Sequence, residues 1–147
     1  MVDIYISTLF RSRFAEGGYY GYVMTVDIGG KVYGKESGPL WTGGTQNEAE
    51  LQALLEALNK MTKPSQITVH TDSQYLYGNY SNLEQWKVNN FMTAKGQQVR
   101  HDSLWRGISA KAEYHRISLE LNEKYTEVGK KIEAELKARR EKDEKDV

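Results

Sequence analysis

Two carboxylates in this chain could do chemistry together. Asp72 closes the alternating segment QITVHTD, residues 66–72, and is followed by Ser73, Gln74 and Tyr75. In open α/β sheets ligands gather outside the carboxyl ends of strands, where an acid so placed would be presented. Glu50 lies in the second turn of TQNEAELQALLEALNKM. It sits about 90° from the centre of that segment's apolar stripe, so a helix packed on the sheet presents it at the rim, toward a strand end. Two convergent acids repel each other unless a proton or a cation lies between them. An oxygen-only donor pair favours Mg²⁺ or Mn²⁺. Each acid alone has an ordinary explanation. An acid early in a helix complements the macrodipole, and an Asp after a strand serves as a turn residue. The pair is the stronger signal, with Glu50 and Asp72 as metal or acid-site residues. His70 is read as a strand histidine hydrogen-bonded to a neighbour, because a lone motif residue carries little weight.

The elements that must position this pair follow from pattern. Val2, Ile4 and Ile6 alternate with Asp3, Tyr5 and Ser7 as a strand. YYGYVMTV and KVYGKESG flank DIGG, a hairpin signal, and the third strand is expected to end near Ser37 or Trp41. Thr45 and Glu48 form a capping box ahead of the stripe Leu51, Leu54, Leu55 and Leu58. Residues 66–71 read as a strand, and a short helix is expected over Gln74 to Tyr80. NLEQWKVNNF reads as a helix with Leu83, Trp86 and Phe91 inward, and Asp102 or Ser103 as the cap of the next. Ile117, Leu119 and Leu121 alternate as a last strand. Val128, Ile132 and Leu136 mark a final amphipathic helix that runs into charge from Lys137 onward. The expected division is a domain over 1–136 and a charged helix end or tail over 137–147. An antiparallel meander followed by parallel strands predicts an α/β (α+β mixed) sheet flanked by helices.

Composition narrows the setting. The chain has 147 residues, enough for one domain with a real core. Lys plus Arg and Asp plus Glu are both 20, so any basic surface is local rather than global. With no cysteine, disulfides and thiolate metal sites are excluded. No apolar run approaches the roughly 18 residues of a membrane span. The N-terminal MVDIYIS starts directly on a strand pattern. The expectation is a soluble, cytoplasmic protein without membrane contact, with a monomer favoured.

TQNEAEL followed by TVHTDSQYLYG resembles the type 1 ribonuclease H family, whose helix reads T-x-N-x-x-E-L and whose strand end reads T-D-S-Q-Y. LEQWKVNNF and DSLWRGI resemble the stretch around that family's basic protrusion. The resemblance spans roughly residues 2–136. It implies a ribonuclease H-like fold, a five-stranded mixed sheet with flanking helices. It also implies binding of RNA/DNA hybrids and hydrolysis of the RNA strand by two Mg²⁺ ions on four carboxylates, one ion activating water and the other stabilising the leaving oxygen. Glu50 and Asp72 match two of those acids. Thr45, Asn47 and Gln74 match positions that contact nucleic acid, where the 2′-hydroxyl distinguishes RNA from DNA.

The sequence departs from the family where the other acids belong. The family's first strand ends in D-G-S, and its Asp bridges both metals; Ser7 stands at that position. Asp3, four residues earlier, lies about 13 Å away along a strand and is too distant to substitute. For the last acid, in the final helix, Glu135 is the first candidate and Glu133 the second, both equally readable as surface acids. An ungapped reading puts Tyr125 at the catalytic-loop His. The protrusion is reduced to Lys95, Arg100 and Lys87, which predicts weak, salt-sensitive binding. Losing a bridging carboxylate costs several orders of magnitude in rate at about 1.4 kcal/mol per tenfold. The expected function is hybrid binding with metal-dependent hydrolysis weakened or lost. A non-catalytic interaction module on the same fold is the alternative. Tyr5, Tyr19, Tyr20 and Tyr22 are read as strand residues covering the sheet rather than base-stacking groups.

Overall fold

A computed structural model describes residues 1–122 and 126–146. The expected Tyr125 position lies outside them. Six strands form: β1 (Val2–Leu9), β2 (Gly18–Ile28), β3 (Lys31–Glu36), β4 (Leu40–Thr42), β5 (Gln66–Thr71) and β6 (Arg116–Leu121). Five helices accompany them: α1 (Gln46–Asn59), α2 (Gln74–Tyr80), α3 (Leu83–Val88), α4 (Asp102–Tyr114) and α5 (Glu127–Lys145).

The strands run β3-β2-β1-β5-β6 across one mixed sheet, with β4 also on β2. β2 pairs antiparallel with β1, β3 and β4, while β5 pairs parallel with β1 on one side and β6 on the other. The β2–β3 hairpin turns on Gly29 and Gly30, both with positive φ (61° and 84°), which a two-residue primed turn requires. The Tyr5↔His70 register brings the carboxyl end of β5 beside the second half of β1.

Strand alternation separates two cores. Ile4 and Ile6 of β1, with Ile67 and Val69 of β5, face α1 and α4, where Leu51, Leu54, Leu58, Trp105 and Ile108 are fully buried. Burying each such side chain contributes about 1.5–3 kcal/mol before entropy is charged against it. Tyr5 and Leu9 face the other way and join Tyr19, Val23, Ile132 and Leu136 under α5. Tyr20 and Tyr22 are also core residues, so packing accounts for all four tyrosines.

Three local expectations change. The third strand divides in two, because Gly38 (φ 66°) and Pro39 interrupt it and Ser37 Oγ accepts from the Tyr22 amide. The helix expected to reach Phe91 stops at Val88. Asn90 and Phe91 adopt left-handed backbone (φ 54° and 57°), and Phe91 is buried from a loop under the Arg106 guanidinium. Asp102 does not cap α4. His101 holds the cap position, and Asp102 instead accepts from Gln98 Nε2 at 2.8 Å and Arg106 Nε at 3.3 Å.

Candidate active site

α1 starts where its capping box dictates: Thr45 Oγ1 accepts from the Glu48 amide, and the Glu48 carboxylate reaches back to the Thr45 amide. From that start, the second turn carries Glu50 down onto the sheet beside the ends of β1 and β5. Glu50 is 1 % exposed. Thr8 Oγ1 donates to its Oε1 at 3.0 Å, and Thr71 Oγ1 lies 3.5 Å from its Oε2. Gln46 Nε2 in turn donates to Thr8 Oγ1 at 3.2 Å, so α1 fixes both ends of this chain. Burial first, and the Asp72 charge second, push the Glu50 carboxyl up to about 8, while the two threonine hydroxyls oppose the shift. Glu50 is therefore largely protonated at neutral pH in this geometry.

Asp72 follows β5 directly. Ser73 caps α2 by accepting from the Leu76 amide, and its own amide donates to Thr71 Oγ1 at 3.0 Å. Glu50 and Asp72 thus meet, as their spacing suggested, in a groove of about 580 Å³. Asn47 and Gln74 line the same groove. Thr45 is engaged in its cap. Lys87 is ion-paired with Glu113, Lys95 is exposed on the 89–101 loop, and Arg100 lies close enough to Tyr75, a groove residue, to oppose the rise that burial gives the Tyr75 pKa.

Ser7 is 1 % exposed, and its hydroxyl donates to the Gly129 carbonyl at 3.2 Å. The α5 residue opposite Ser7 is therefore a glycine. Glu135 lies six residues further on, about 9 Å along a helix at 1.5 Å per residue. Glu133 is ion-paired with Lys137 at 2.9 Å. Among the described residues no three His, Cys, Asp or Glu side chains are grouped so as to hold a metal ion. Glu135 does not join Glu50 and Asp72 in such a group. Among the described residues the donor set thus falls short of a two-ion centre: two acids beside a serine turned to a backbone carbonyl. His70 is occupied elsewhere. Its Nε2 lies 2.9 Å from Asp3 Oδ1, its ring stacks on Tyr5, and its Nδ1 is 3.5 Å from Glu120 without hydrogen-bond geometry.

Four site residues escaped the reading of motifs: Thr8, Gln46, Arg13 and Gly129. Thr8 carried a signal, since it follows Ser7 and so falls on the face of Ile4 and Ile6. Gly129 carried none, because only the docking of α5 on β1 selects it.

Fold and site together define an α+β protein with an acid pair at the carboxyl edge of a mixed sheet. A family model described as RNase H matches residues 11–123. The chain is 31 % identical over 117 residues to Ribonuclease H of Herminiimonas arsenicoxydans, covering 79 % of this chain and 77 % of that one. It is 32 % identical over 117 residues to Ribonuclease H of Janthinobacterium sp. (strain Marseille), covering 79 % and 78 %. The fold also matches a foamy viral protease-reverse transcriptase solved with an RNA/DNA hybrid, with a TM-score of 0.66 and 20 % identity, over 93 % of this chain and 19 % of that one. The chain belongs to the ribonuclease H family.

Proposed function

We propose that this chain binds nucleic acid, with RNA/DNA hybrids as its target, and that hydrolysis of the RNA strand is weakened or lost. The observation that carries the reading is the Ser7–Gly129 contact. Ser7 stands at the family's first-acid position, and the α5 residue facing it has no side chain. Divalent metal chemistry in this family supplies an activated water and a stabilised leaving oxygen; among the described residues Glu50 and Asp72 are those that would contribute to holding such ions, and they are too few for two. The family match, 11–123, excludes both elements concerned, β1 and α5. Retention of the Asn47 and Gln74 amides in the groove supports binding, because amides can donate to and accept from hydroxyls and base edges alike. The relatives' name, Ribonuclease H, and the hybrid bound to the viral neighbour support the choice of target. A cytoplasmic monomer is part of the same reading.

The test is cleavage of a labelled RNA/DNA hybrid in Mg²⁺ and in Mn²⁺, beside binding measured in EDTA. Binding without appreciable cleavage is expected. Robust cleavage that disappears in Asp72→Ala would overturn the loss of hydrolysis. Absence of hybrid binding at low salt would overturn the target.

A further inference from the structure

We propose that Arg13 is the phosphate anchor of the groove, supplying from the protein the positive charge that the site's incomplete carboxylate set does not recruit as metal. The inference rests on the hybrid-binding reading above. Arg13 lies on the β1–β2 loop and lines the same groove as Glu50, Asp72, Asn47 and Gln74. Among the described residues lining that groove it is the cation.

Its place in the groove sets it apart from the other arginines unpaired among the described residues, Arg100, Arg116 and Arg140, and its guanidinium is not taken up by an ion pair. Arg11 is ion-paired with Glu144, Lys87 with Glu113, Arg106 with Asp102 and Arg139 with Asp143. Arg13, among the described residues, has no carboxylate partner, although two carboxylates line its groove. A guanidinium presents donors in a planar fork that matches two phosphate oxygens. Its neighbour Phe14 is 83 % exposed, an apolar ring left in water at the tip of the same loop. A polyanion entering the groove meets acids on one side, and a fixed cation is needed to hold a phosphate beside them. The amides of Asn47 and Gln74 then face the sugar and base edges next to that phosphate.

Fluorescence anisotropy with a labelled RNA/DNA hybrid in EDTA, over a salt series, tests this. Wild type is expected to bind. Arg13→Ala is expected to weaken binding about tenfold and to reduce the slope of log K against log salt by about one. Arg13→Lys keeps the charge and is expected to retain the slope while losing part of the affinity. Thermal melts of both variants should match wild type, since the side chain is exposed. If wild type binds and Arg13→Ala binds equally with the same slope, Arg13 is not the anchor. If wild type binds only when Mg²⁺ is added, a metal supplies the charge and the proposal also fails. If wild type binds under neither condition, the hybrid-binding reading itself is wrong.

Discussion

Glu50 carries the sharpest consequence at the scale of single residues. Its carboxyl titrates near 4.5 in the unfolded chain and near 8 when folded. The folded state therefore keeps a proton that the unfolded state releases between those values. The resulting stabilisation is complete below about 4.5 and is lost as pH rises through 8. Glu50→Gln should raise the melting temperature, by a margin that grows from pH 5 to pH 9 and corresponds to a few kcal/mol at the upper end. Melting curves of the two proteins over that range check it; parallel curves would show that Glu50 does not hold the proton. Ser7 makes the complementary case. Ser7→Asp inserts a carboxylate where a hydroxyl now donates to the Gly129 carbonyl. An unpaired buried charge costs about 3–5 kcal/mol. This variant should melt well below wild type and cleave no better, whereas an active Ser7→Asp would mean that Ser7 alone had disabled the site.

At the scale of elements, α5 is the decisive piece. Its first turn closes on β1 at Ser7, and its far end is fastened by Tyr19 Oη donating to Asp143 at 2.8 Å, by Arg139 Nη1 reaching the Pro39 carbonyl at 3.4 Å, and by the Arg11–Glu144 pair. The Tyr19 hydrogen bond holds the Asp143 carboxyl below the usual range, so that contribution is present above the unfolded pKa and fades as pH falls through the folded one. Truncation after Leu136 should therefore lower the melting temperature at neutral pH and speed amide exchange in the 10–17 loop. Unchanged exchange would mean that the charged end of α5 holds nothing. The helix also predicts what rebuilding requires. Gly129 follows the Thr126 cap, whose hydroxyl accepts from its amide, and an acid in a helix's first turn is favoured by the macrodipole. Ser7→Asp combined with Gly129→Asp should restore Mg²⁺-dependent cleavage of a hybrid where either alone does not, read out on a denaturing gel.

At the scale of the whole molecule, charge is balanced while the working surface is local. With 20 basic and 20 acidic residues, long-range attraction to a polyanion is absent. Among the described residues, Arg13 lines the groove, Arg100 lies beside the groove residue Tyr75 and Lys95 is exposed on the same loop as Arg100, while Lys87 and Arg106 are paired. Hybrid affinity should accordingly fall with salt with a slope of about −3, measured by anisotropy between low and physiological salt. A slope near −6 or steeper would point to a wider basic surface than this groove. Among the described residues no helix is long and apolar enough to cross a membrane.

Much of this was legible from residues alone, for local reasons. Hydrophobic period and capping chemistry act within one or two turns, so the Thr45–Glu48 box, the Leu51–Leu58 stripe and the DIGG hairpin declare themselves without partners. The convergence of Glu50 and Asp72 was legible too, since helix phase and strand end are local properties that the resemblance TQNEAEL and TDSQY reinforces. Backbone sign was not: left-handed Asn90 and Phe91 end a helix that their side chains alone would continue. Nor was the last member of the site. Choosing between Glu135, Glu133 and any other α5 residue depends on how far that helix slides along β1, which contacts distant in sequence decide. Only the docked chain sets Gly129 against Ser7, and only burial, a property of the whole fold, turns Glu50 from a surface acid into a proton-holding one.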